Sequence, residues 1–112
     1  MWCRIGIVAF SLAVSSALAR SAVPSAQRQA ELESLLLQDC GSCHGLMLKG
    51  GLGPALRPQV LAGKPRQWLI DTIRNGRPGT AMPPWGPILS DADIAWLVDR
   101  LLRGAPDTGV RP

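Results

Sequence analysis

Two thiols and an imidazole stand together at Cys40-Gly41-Ser42-Cys43-His44. The C-x-x-C-H spacing is that of covalent haem c attachment. On a helical turn, residues three and four apart share a face, so both thiols can reach neighbouring vinyl groups of one porphyrin. The same turn carries His44 beneath the iron, and its imidazole bonds metal through one ring nitrogen only when an acceptor holds the other. Two other chemistries use paired thiols. A thioredoxin-like dithiol needs strand–helix context, and the residues around the motif supply none. A structural zinc site needs four ligands, whereas beyond the N-terminal segment the chain offers these two thiols and a single histidine. The motif predicts one haem c, covalently attached.

An iron held by His44 is either open on its other face or closed by a distant residue. Met47 is tethered to the His44 side and is expected to pack beside the ring. Met82 lies in Thr80-Ala81-Met82-Pro83-Pro84, with enough intervening chain to wrap the macrocycle. Pro83 biases Met82 toward extended backbone, and the two prolines stiffen the loop, so less entropy is lost on ligation. His44 and Met82 are therefore the expected axial ligands. A centre closed on both faces cannot take substrate without losing a bond. Electron carriage is expected rather than enzymatic turnover; a peroxidase or gas sensor would need Met82 absent or labile.

The elements that must position these groups are helical. Ser25 to Gln38 is dense in helix formers, with Ser25 as N-cap and Ala30, Leu32, Leu35, Leu36 and Leu37 as an apolar stripe leading into the motif. Pro65 opens a middle helix with Trp68, Leu69 and Ile73 as its buried side, ended by Asn75-Gly76. Ser90, followed by Asp91 and Asp93, starts a last helix in which Ile94, Leu97, Val98, Leu101 and Leu102 recur at helical spacing. Gly104 and Pro106 stop it. The terminal helices should pack across each other at one haem edge, with Trp96 near the crossing. No alternating strand pattern and no internal repeat are present.

Composition agrees. The 112 residues suffice for one domain, and 12 Gly and 10 Pro leave little room for long regular elements. With one Phe and no Tyr, Trp68, Trp85 and Trp96 supply most of the aromatic surface past the N-terminus. Something other than side chains must fill such a core. Residues 1–19 read as a cleaved export signal: Arg4, an apolar run from Ile5, then Ala17-Leu18-Ala19 as a small-x-small cleavage pattern. The run is too short to span a bilayer stably. Residues 20–112 then form the haem domain in the periplasm. Its basic excess is too small to suggest nucleic-acid binding. From Gly45 to Pro87 the charges are Lys49, Arg57, Lys64, Arg66, Arg74 and Arg77 against Asp71 alone, a basic rim that would steer an acidic redox partner. Arg57, Arg77, Trp68 and Trp85 are candidate donors to the haem propionates.

The chain resembles small class I cytochromes c over its whole length after the signal. The resemblance is carried by the leading helix, C-x-x-C-H, Gly53-Pro54-Ala55-Leu56, the Met82-Pro83 loop and the closing helix. It implies an all-α fold of three to four helices around one haem, with the Pro54 carbonyl accepting from His44. More narrowly, Leu37 to Gly45, Lys49 to Leu56, Leu61-Ala62-Gly63-Lys64-Pro65 and Gly76 to Trp85 resemble the cytochrome c55X (NirC) family. That family accompanies cytochrome cd1 nitrite reductase in denitrification. The implied partner is that reductase or another periplasmic haem protein. The alternative role is accessory to haem d1 maturation or insertion. A monomer is expected as the main form, with a domain-swapped dimer as the alternative if the tight hinge after Gly76 exchanges a helix.

Overall fold

The computed structural model describes residues 23–104; the expected signal, its cleavage site and the tail after Gly104 lie outside them. Among the described residues there is helix and no strand: α1 (Ala26–Leu35), a π-helical turn (Leu36–Cys40), α2 (Gly41–His44), α3 (Pro58–Leu61), α4 (Arg66–Asn75) and α5 (Asp91–Arg103). The α1 segment, the π turn and α2 follow one another without a break, so the described chain has four helical rods. The all-α, three-to-four-helix fold holds.

Ser25 caps α1, its hydroxyl accepting from the Arg28 N–H at 3.2 Å. The apolar stripe is narrower than expected: Leu32 and Leu36 are fully buried, Leu35 and Leu37 half-buried, and Ala30 exposed. Where α1 approaches the motif the helix widens into the π turn, a local departure that recurs at functional sites. Helix α5 is the best-formed element. Ser90 and Asp93 make a reciprocal capping box, with Asp93 N–H donating to the Ser90 hydroxyl and Ser90 N–H to the Asp93 carboxylate. Ile94, Leu97, Val98 and Leu101 are buried along one face, and Gly104 closes the helix at φ +91°.

In α4, Pro65 stands at the cap and Gly76 follows the last turn. The buried side is Leu69 and Ile70, not Trp68: the indole is 42% exposed, and Ile73 is half-buried. One residue of helical rotation separates the two readings. Trp68 faces a cavity wall, as described below. The α3 turn, opened by Pro58, was not foreseen; Leu61 anchors it in the core.

Leu32, Leu36, Leu61, Leu69, Ile70 and the α5 residues form one apolar cluster, and Trp96 packs half-buried against it. Each fully buried aliphatic side chain contributes on the order of 1.5–3 kcal/mol. Across the α1–α5 seam, Arg28 donates to both oxygens of Asp93 (2.8 and 3.3 Å), and Arg100 donates to Glu33. These two pairs, with the shared core, bring the terminal helices together. Arg66 ties α4 to α5 through both oxygens of Asp99, at 2.7 and 2.9 Å.

Candidate functional site

Cys40, Cys43 and His44 fall at the C-terminal end of the first helical rod, and the loop that follows is bound onto that end. Gly45 leaves the helix at φ +92°. The N–H of Gly50 then donates to the His44 carbonyl, and that of Gly53 to the Cys43 carbonyl, both at 2.8 Å. The carbonyls that a helix end leaves without partners are thereby satisfied by the loop. The fold-back carries Gly53 and Pro54 to the imidazole. A Cβ on Gly53 would lie 2.7 Å from His44 Cε1 and 2.8 Å from Nδ1, so a side chain cannot be accommodated there.

Nδ1 of His44 lies 2.6 Å from the Pro54 carbonyl oxygen. A carbonyl only accepts, so Nδ1 must carry the proton and donate. In the neutral ring this tautomer leaves the Nε2 lone pair free, the form of imidazole that bonds a metal.

The two thiols differ. Cys43 is exposed, while burial pushes the Cys40 thiol up to about 11, with the Asp39 carboxylate adding to the shift. Neither is in a disulfide. Among the described residues no group of three or more His, Cys, Asp or Glu side chains could hold a metal ion between them.

Met82 is carried by the loop after α4. Gly76 turns the chain at φ +66°, and a Cβ there would lie 2.7 Å from the Met82 carbonyl oxygen and from the Pro83 and Pro84 backbones. Only glycine permits this approach. The loop is fastened back to α4 by backbone bonds from Trp85 N–H to Ile73 O and from Gly86 N–H to Arg74 O, both 3.0 Å.

Between these walls lies a cavity of about 550 Å³, within the ~300–1,000 Å³ range of sites that enclose a cofactor. Cys40, Cys43, His44 and Met82 all line it, on a wall of otherwise mainly apolar residues drawn from α1, α4 and α5. Met47 does not line it. Two thiols, an imidazole and a thioether sulfur around one apolar chamber are the donor set of a c-type haem. The residues fit the group.

Of the four candidate propionate donors, Trp68, Arg77 and Trp85 line the cavity and Arg57 does not. Arg57 instead precedes α3, its carbonyl accepting from Val60 and Leu61 N–H. The expected basic rim is smaller than its sequence count. Arg66 is paired with Asp99, and Arg74 with Asp71 and Asp91 at 3.0 Å each. Among the described residues Lys49, Arg57, Lys64 and Arg77 form no ion pair.

Sequence reasoning named Lys64 only as part of the basic rim and gave Thr80 and Gly53 no role of their own, yet all three line the cavity. Lys64 Nζ sits 4.8 Å from the Trp68 ring centroid, a cation–π contact at the cavity edge. The four-residue spacing of Lys64 and Trp68 across the helix start was a usable signal. For Thr80 the signal was Arg77-Pro78-Gly79-Thr80, which has proline and glycine in the central positions of a tight turn.

A comparison with known families matches residues 27–99 to the family described as cytochrome c oxidase, cbb3-type, subunit III. Among curated proteins, cytochrome c55X of Stutzerimonas stutzeri is 64% identical over 78 residues, covering 70% of this chain and 69% of that one. The chain is a c-type cytochrome of the cytochrome c55X family. A solved c-type cytochrome NirC superposes at TM-score 0.72 with 63% identity, over 73% of this chain and 96% of that one. A second solved structure, dihydro-heme d1 dehydrogenase NirN in complex with DHE, matches at TM-score 0.61 and 36% identity. That match covers 66% of this cytochrome and 16% of the larger protein.

Proposed function

We propose that this cytochrome is a periplasmic single-electron carrier with one haem attached through Cys40 and Cys43 and held by His44 and Met82, serving cytochrome cd1 nitrite reductase. The observation that carries the reading is the convergence of both sulfur-and-imidazole ligand candidates on one apolar cavity, with His44 Nδ1 held by Pro54. When bound, such a haem supplies a one-electron iron couple whose potential is raised by thioether ligation. The chain's own residues do the rest. Pro54 fixes the imidazole tautomer and ring plane, and the apolar wall excludes water. Gly76 and the loop beyond it deliver Met82, so the iron has no vacant position for a substrate. Lys64, Arg77, Trp68 and Trp85 line the cavity and are the candidate partners of the haem carboxylates. Lys49 and Arg57, outside the cavity, favour an acidic partner surface.

Export follows from residues 1–19, with cleavage after Ala19; among the described residues no helix is long and apolar enough to cross a membrane. The deciding measurement is the intact mass and spectrum of secreted protein. A chain starting at Arg20 with one added haem, and a far-red methionine–iron charge-transfer band when oxidised, is the expected result. Stopped-flow mixing with the reductase then tests the partner: exchange no faster than with unrelated haem proteins refutes it.

The likeness to part of a dihydro-heme d1 dehydrogenase favours a second reading, in which this cytochrome exchanges electrons during haem d1 maturation. A deletion strain whose nitrite reductase is fully loaded and active speaks against that role.

A further inference from the structure

The loop that carries Met82 is closed by one side chain. Arg77-Pro78-Gly79-Thr80 forms a tight turn with Gly79 at φ +78°, and the Thr80 N–H donates to the Arg77 carbonyl at 3.0 Å. Proline and then a residue of positive φ at the two central positions is the type II arrangement. The Thr80 hydroxyl donates to that same carbonyl at 2.6 Å and accepts from the Met82 N–H at 3.3 Å. Arg77 N–H closes the ring by donating to the Met82 carbonyl at 3.2 Å. Both backbone polar groups of Met82 are thus fixed, one of them by a hydroxyl. Pro83 and Pro84 have no N–H to offer, so the next backbone donor is that of Trp85, already given to Ile73.

We propose that Thr80 is a positioning residue for Met82, its hydroxyl joining the turn to the Met82 backbone so that the thioether is presented to the cavity. The inference rests on the reading of Met82 as an iron ligand. Thr80 is exposed to solvent and contributes nothing to the buried core. Its side chain borders the cavity, and what fixes the hydroxyl there is its two hydrogen bonds. A hydroxyl has one proton to give and lone pairs to accept, and here both capacities are used. Serine can repeat this; valine, of the same shape, can do neither.

The test is titration of the oxidised holoprotein with imidazole, which competes for the Met82 position, followed through loss of the methionine–iron band. Thr80→Val is expected to bind imidazole about five- to tenfold more tightly than wild type, the effect of losing two ordinary hydrogen bonds. Thr80→Ala, which removes the hydroxyl without adding a methyl group beside the cavity, should shift the same way. Thr80→Ser should stay within about twofold of wild type. Val and Ala variants that bind imidazole as wild type does overturn the proposal while leaving Met82 as ligand. A wild-type protein with no methionine–iron band overturns the ligand assignment itself, a separable result.

Discussion

The seam between α1 and α5 and the loops around the cavity are built on opposite principles. At the seam, side chains do the holding: Leu32, Leu36, Ile94, Leu97 and Val98 are almost wholly buried, with Leu36, Leu97 and Val98 also backing the cavity, and Arg28–Asp93 and Arg100–Glu33 bridge the helices. Around the cavity, backbone does it. The 45–56 segment and the Met82 loop are shaped by Gly45, Gly50, Gly76 and Gly79 at positive φ and by N–H groups donated onto helix-end carbonyls. Leu52 and Val60, on the cavity wall, remain substantially exposed. Side-chain burial makes a frame that resists unfolding. Backbone turns make walls whose shape is defined but whose own apolar burial is small. The walls need a large apolar body between them to complete the core.

The largest test of this contrast removes that body. Cys40→Ser/Cys43→Ser protein, made without haem, should lack cooperative unfolding, because ligand binding to the folded state is itself stability. A sharp calorimetric transition in that variant would show that the helical seam suffices alone. Next, Leu32→Ala should cost about 2–5 kcal/mol in denaturant unfolding of the holoprotein. It should leave the methionine–iron band unchanged, since Leu32 is outside the cavity wall. Gly76→Ala should do the reverse, costing about 1–3 kcal/mol through backbone strain and clash but abolishing most of the band. Equal spectroscopic damage from both substitutions would erase the distinction between frame and wall.

The smallest effect lies in the electrostatics of the seam. The Arg28 guanidinium holds the Asp93 carboxyl below its ordinary range, with help from Ser90. A carboxylate whose folded pKa is lowered adds stability that is present above the unfolded pKa and is lost as pH falls through the folded one. Asp93→Asn should therefore destabilise by about 1–2 kcal/mol at pH 7. Its deficit against wild type should shrink as pH drops below about 4. A difference that stays constant from pH 7 to pH 2.5 would show that the pair contributes through packing and not through charge.

Much of this was readable from local pattern. The Ser90 cap with Asp91 and Asp93 in the first turn, the spacing of Ile94, Leu97, Val98 and Leu101, and the stop at Gly104 are short-range signals that α5 follows, while Leu102 of the same pattern is only half-buried. The π turn was not readable, since nothing in Leu-Leu-Gln-Asp-Cys distinguishes it from α-helix. Trp68 was misplaced because a large apolar side chain one position from the core face reads as core, yet here it borders the cavity. The basic rim was overcounted because Arg66 and Arg74 find acids far away in sequence on α5, at Asp99 and Asp91.

Residue types and short spacings were enough for the chemistry: which atoms can bond a porphyrin, where the leading, middle and closing helices form, and where glycine and proline must turn the chain. Those properties belong to residue types and short spacings, and they survive without knowledge of the fold. Only the packed structure showed that Gly53 lies close against the His44 ring, that Trp68 borders the cavity, and which cations are already spent on ion pairs. Each depends on atoms distant in the chain meeting within a few ångströms, and such meetings are set by how the helices pack.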